Sequence, residues 1–118
     1  MASFVGGENL AAVTNLDFTG TGGSSAIDTV PAGQYWKVYV TSIEDSAATG
    51  NIGIRANAAF TAGTFNSIVG ANGPSTLEEF GQAFPNGATL GPSDELFQYG
   101  YQNTKRVSFT IFKYTVPA

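Results

Sequence analysis

Val30-Pro31-Ala32-Gly33-Gln34-Tyr35-Trp36-Lys37-Val38-Tyr39-Val40-Thr41-Ser42-Ile43 decides how this chain is read. Proline fixes the backbone and Gly33 permits a tight turn, so Val30-Pro31-Ala32-Gly33 launches a strand rather than belonging to it. From Gln34 to Ile43 most residues are aromatic or β-branched, the types that suit a pleated, half-buried surface. Successive strand side chains point to opposite faces, which sets Trp36, Val38 and Val40 on one side and Tyr35, Lys37, Tyr39 and Thr41 on the other. The first row suits a core, and register is strongly specified where one face is buried. Gln34–Ile43 is predicted as a central strand with Trp36 buried.

The same grammar extends outward. Lys105–Thr115 alternates Val107, Phe109 and Ile111 with Ser108, Thr110 and Phe112, and is the second clear strand. Weaker strands are placed at Ile52–Asn57, Thr64–Val69, Thr76–Phe80, Ala88–Leu90 and Glu95–Tyr101, and upstream at Ala12–Phe18 and Ala26–Val30. Turn residues separate them at Gly20–Ser25, Pro31–Gly33, Ala47–Gly50, Ala62-Gly63, Gly70–Pro74, Pro85–Gly87 and Gly91–Ser93. Thr76–Phe80, with its Glu78-Glu79 pair, reads equally as one helical turn. Seven to nine strands without a crossover helix predict an all-β fold, a single antiparallel β-sandwich of jelly-roll type. The Thr19–Ser25 stretch reads as a hinge. It divides an extended N-terminal arm, residues 1–25, from a sandwich domain, residues 26–118.

A chain of 118 residues is one domain, and 42% hydrophobic residues suffice for one core. Only 12% of residues are charged, against about 25% in ordinary globular domains. The net charge is −4, and the five basic residues are scattered, so no stretch can neutralise several phosphates at once. Duplex nucleic acid and anionic membranes are excluded as partners on that ground. No apolar run approaches the roughly 20 residues that span a bilayer. The N-terminus has neither a basic nor an apolar leader region, and synthesis in the cytoplasm is expected.

There is no histidine and no cysteine. Histidine triads, most acid–base schemes, thiol nucleophiles and nearly all zinc or iron sites need one or the other. No Ser-x-x-Lys, Gly-x-Ser-x-Gly or phosphate-cradling glycine loop replaces them. The acidic pairs Glu44-Asp45, Glu78-Glu79 and Asp94-Glu95 could in principle serve a glycosidase or a calcium site. Neighbours on a strand point to opposite faces, however, so solvated charge is the better account of them. The expectation is a non-enzyme without catalytic residues, metal or cofactor.

The aromatic residues carry more. Tyr35 and Tyr39 lie opposite Trp36; Phe97, Tyr99 and Tyr101 share a face of their strand; Phe112 and Tyr114 lie opposite Val107, Phe109 and Ile111. Exposed aromatic faces mark contact surfaces, unless both faces are covered within the domain. Flat rings also stack on sugars, which makes carbohydrate the alternative partner. In the arm, Thr14, Leu16 and Phe18 would line one side of a strand added to a neighbour's sheet edge; otherwise Ala12–Phe18 is the first edge strand of its own sandwich. The candidate contact residues are therefore Leu16, Phe18, Tyr35, Tyr39, Tyr99, Tyr101, Phe112 and Tyr114. Low charge and spare aromatic faces lead to an expected closed homo-oligomer, a trimer first.

Two turn motifs carry a resemblance. Val30-Pro31-Ala32-Gly33 opens the long strand, then Asp45–Gly50 and the short Asn51–Asn57 come next. Later comes Ala88-Thr89-Leu90-Gly91-Pro92-Ser93-Asp94-Glu95-Leu96 before an aromatic strand. Over about Ala26 to Thr115 this succession resembles small β-sandwich accessory proteins of tailed-bacteriophage virions: head decoration, fibre and tail accessory subunits. The departure is Gly91-Pro92-Ser93-Asp94, with serine where glycine is commoner. The resemblance implies a virion-bound symmetric oligomer without catalytic residues, docked on a major capsid or tail protein. A receptor-binding or carbohydrate-binding module of a fibre is the alternative.

Overall fold

The alternating segments become strands, and their order is set by which apolar rows can meet. The computed structural model describes residues 9–44, 49–56 and 65–115. Eight strands run through them: β1 (Asn9–Thr19), β2 (Ser24–Thr29), β3 (Gln34–Ile43), β4 (Asn51–Arg55), β5 (Phe65–Gly70), β6 (Ala88–Leu90), β7 (Glu95–Tyr99) and β8 (Arg106–Thr115), with one helix, α1 (Leu77–Ala83), between β5 and β6. They form two four-stranded sheets, β1-β8-β3-β6 and β2-β7-β4-β5, and every pairing is antiparallel. β1 pairs with β8, β2 with β7, β3 with β6 and β4 with β5. This nesting is that of one long hairpin rolled into two sheets, a jelly roll.

The core lies between the sheets. In the first sheet Leu16, Phe109 and Val40 stand opposite one another across β1, β8 and β3, and Ile111, Val38 and Ala88 form a parallel row. Ile52, Ile68, Val69 and Leu96 meet them from the second sheet. Trp36 is 2% exposed; its indole N–H donates to Gln34 Oε1 (2.9 Å) and the Lys113 ammonium sits 4.5 Å above its ring. A buried indole needs such a partner, and the lysine closes that end of the core. Gln98 is buried among the apolar side chains, donating from Nε2 to Thr21 Oγ1 (3.1 Å) and Ser25 Oγ (3.2 Å).

Three expectations are settled or corrected. Thr76–Phe80, which reads equally as a strand or one helical turn, is the start of α1. Thr76 is its N-cap and accepts from the Glu79 N–H (3.1 Å), while Glu79 Oε1 accepts from the Ser75 N–H (2.8 Å) and hydroxyl (3.0 Å). The two glutamates thus occupy the first turn, where the helix dipole favours negative charge. The helix stops before Pro85, which has no N–H to continue it. Second, Tyr101 does not share a face with Phe97 and Tyr99. The chain turns at Gly100 (φ 61°), β7 ends at Tyr99, and Tyr101 is fully buried in the core. Third, the arm drawn at 1–25 is body from Asn9 onward. β1 pairs with β8 from Asn9–Thr115 to Thr19–Arg106, and Leu16 and Phe18 pack against the core. Gly20–Gly23 links two strands of one sandwich, and Ser24 and Ser25, read as turn, open β2. Residues 1–8, the Ala62-Gly63 turn, part of the Ala47–Gly50 turn and the predicted strand ends at Asn57 and Thr64 lie outside the described residues.

Candidate contact surface

The outer face of the β1-β8-β3-β6 sheet is built in cross-strand rows. Directly opposed residues share a face of the sheet. Leu10, Tyr114 and Tyr35 form the first row; Val13, Phe112 and Lys37 the second; Asn15, Thr110 and Tyr39 the third; Asp17, Ser108 and Ser42 the fourth. Apart from Lys37 the first two rows are apolar or aromatic and the last is polar, so the face is divided along its length.

The apolar half has defined ring geometry. Tyr35 and Tyr114 stack with centroids 5.0 Å apart and planes 14° from parallel. Tyr39 meets Phe112 edge-on at 5.7 Å. The Tyr39 ring also lies over Gly87, so the α1–β6 connection covers one side of it. Beside the rings, Leu10 and Val13 are 52% and 49% exposed, two of the three most exposed large apolar residues among those described. The β1 bulge between Leu10 and Ala12 keeps both on this face although they are three residues apart.

The polar half is tied together by its own hydrogen bonds. Thr110 Oγ1 donates to Asn15 Oδ1 (2.9 Å) and Ser108 Oγ to Asp17 Oδ1 (2.6 Å). Glu44 accepts from the Arg106 backbone N–H (2.9 Å) and faces its guanidinium at 3.6 Å. Asp17, Ser42, Glu44, Arg106 and Ser108 line an open depression of about 310 Å³.

Of the eight predicted contact residues, Tyr35, Tyr39, Phe112 and Tyr114 come together here, because β8 and β3 are neighbours. Leu16, Phe18 and Tyr101 belong to the core side. Tyr99 is on the outer face of the other sheet. There its ring meets Phe65 (4.9 Å) and Phe97 (4.9 Å), and the Arg55 guanidinium lies 4.8 Å over Phe97 while pairing with Glu95 at 3.4 Å. Gly53 stands between Ser67 and Phe97 in register, where an added Cβ would fall on the Asn66 carbonyl of β5. This second cluster buries itself: Phe97 is buried though it stands outside the core cluster.

Leu10 and Val13 were missed as contact residues. Each looked like one more scattered apolar residue, and the β1–β8 register that places them beside Phe112 and Tyr114 has no local sequence signal. The Asp94-Glu95 pair separates: Asp94 Oδ2 accepts from the Gly91 N–H (2.7 Å) to close a turn, while Glu95 turns to Arg55. Among the described residues no group of three or more acidic, histidine or cysteine side chains could hold a metal, and no helix is long and apolar enough to cross a membrane. No protein-family model matches the chain, and no curated protein or solved structure matches it either.

Proposed function

We propose that this chain is a non-enzymatic structural subunit of a bacteriophage virion, a capsid decoration or related accessory protein. It works by associating with its own copies and docking on a capsid or tail surface. The observation that carries the reading is the divided outer face of the β1-β8-β3-β6 sheet. Leu10, Val13, Tyr35, Phe112 and Tyr114 form a contiguous apolar end on a rigid sheet. Aromatic residues of this kind supply contact area at interfaces with little ordering of the side chains. The turn motifs at Val30–Gly33 and Leu90–Asp94 supply the link to virion accessory proteins.

Mass spectrometry of gradient-purified particles from the source cells tests this. The chain bands with the capsid protein at a fixed ratio, and the Tyr35→Ser, Tyr114→Ser double variant is lost from the band. Recovery in the soluble fraction alone overturns the reading. The stacked Tyr35–Tyr114 pair shares its face with the Asp17, Ser42, Glu44, Arg106 and Ser108 depression, which favours a carbohydrate-binding module as the second reading. Saturable binding on a glycan array that Tyr35→Ser abolishes would establish it.

A further inference from the structure

We infer that β1 is a dimerisation edge: two copies of this chain pair their β1 strands antiparallel about a two-fold axis near Thr14, joining two four-stranded sheets into one of eight. The inference deepens the self-association part of the proposed function and rests on it.

The two sheets have four edges: β1 and β6 in one, β2 and β5 in the other. A sheet edge presents unpaired N–H and C=O groups, and proteins guard such edges by making them short, bulged or charged. β6 is three residues long. β2 has six residues, a bulge between Ala26 and Asp28, and a charge at Asp28. β5 has six residues and an irregularity where it meets Ile52 and Gly53. β1 has eleven residues, with Asp17 as its single charge and no proline or lysine. Its bulge sits at the far N-terminal end, leaving Ala12–Thr19 regular, a run of about 27 Å at about 3.4 Å per residue. Among the described residues β1 pairs with β8 alone.

Length and charge select the occupant. A copy of β6, β2 or β5 is too short to satisfy Ala12–Thr19, whereas a copy of β1 is long enough: about Thr14, Ala12–Leu16 meets Ala12–Leu16 of the copy, and Asp17–Thr19 runs beside its N-terminal end. It is also already extended, so pairing orders no new backbone. Two chains of net charge −4 repel on approach, and β1 brings only Asp17 to the contact. With the axis near Thr14, the two copies of Asp17 stand six positions apart, about 20 Å, beyond the screening length of about 8–10 Å in ordinary salt. The same axis sets Val13 against Asn15 of the copy on the outer face, and Ala12 against Leu16 on the inner. Such a contact is isologous and closes at two, where the sequence expectation was a trimer.

The absence of cysteine makes disulfide trapping clean. Val13→Cys protein mixed with Asn15→Cys protein, under mild oxidation, is expected to give the mixed dimer. Its yield should exceed by at least tenfold that of Thr89→Cys, an exposed control on the opposite edge. Light scattering of the unsubstituted chain is expected at twice 12.2 kDa, and Val13→Lys, at an exposed position, at the monomer mass with an unchanged circular dichroism spectrum. Association without the 13–15 cross-link, or at three copies, overturns the β1 contact and leaves self-association standing. A monomer at millimolar concentration overturns both. Equal cross-linking by Thr89→Cys overturns the edge assignment, and the cross-link decides even where Val13→Lys fails to fold.

Discussion

Phe109 and Phe112 are three residues apart on β8 and lie on opposite faces, so truncating each in turn tests the register of the whole sheet. Phe109 is buried against Leu16 and Val40, and Phe→Ala in such a core costs about 3–5 kcal/mol. Phe112 is half-buried and keeps one edge-on contact, with Tyr39. Partial burial and that contact together come to about 1–2 kcal/mol. A domain of this size is stabilised by only about 6–18 kcal/mol, so both effects are measurable and the first is severe. Trp36 is the single tryptophan, and its emission reports the core directly during urea unfolding. With a slope of about 2 kcal/mol per molar, Phe109→Ala should lower the midpoint by about 2 M and Phe112→Ala by under 1 M. Equal losses, or a larger one at Phe112, would mean that β8 presents the other face to the core. The outer-face rows would then be wrong.

Three further outcomes are expected. Gly50→Ala should cost at least about 2 kcal/mol in thermal unfolding, since Gly50 has φ 75° and an added Cβ would fall on the Gly100 backbone. The Ser75 backbone N–H, then the Ser75 hydroxyl, hold the Glu79 carboxyl below its ordinary value. A carboxylate whose folded value is depressed stabilises above its unfolded value and loses that contribution as pH falls through the folded one. NMR titration should therefore show Glu79 titrating below the ordinary glutamate value, and Glu79→Gln should flatten the acid limb of the stability curve. Deleting residues 1–22 removes the whole of β1 together with Leu16 and Phe18, and should abolish cooperative unfolding by circular dichroism. A truncated chain that melts like the intact one would show that β1 is dispensable to the body.

Where one face of a strand is buried and the other is not, the sequence says so plainly. β3 runs from Gln34 to Ile43 and β6 from Ala88 to Leu90 as read from alternation and turns, and β8 differs by one residue. What alternation cannot carry is a change of face. Tyr101 continues the Phe97–Tyr99 rhythm on paper, and the left-handed turn at Gly100 ends it. The bulges in β1, β2 and β3 are equally silent, because an extra residue has no composition of its own. The helix did leave a sign: Thr76-x-x-Glu79 is a capping spacing, though the β-rich surroundings left strand and helical turn even. β1 looked like an arm because its N-terminal half is exposed on both faces, and only its partner β8, at the other end of the chain, makes it a strand. For the contact surface, each ring could be assigned to the side of its strand away from the core. Which rings are neighbours depended on β8 lying between β1 and β3.

The nesting of β1 with β8 and β2 with β7 also sets a timetable for the chain. Thr19 and Arg106 are the nearest-in-sequence pair of the β1–β8 ladder, so β1 is synthesised first and paired last. At roughly 5–20 residues per second, it waits roughly 5–20 s for β8 to be made. Neither sheet can be completed from residues that are close in sequence, and folding of such topologies is slow because distant segments must meet before either is rewarded. During that interval Leu10, Val13, Leu16 and Phe18 stand uncovered on one strand. Until β8 arrives, both edges of β1 and these apolar side chains are open to neighbouring chains on the same message.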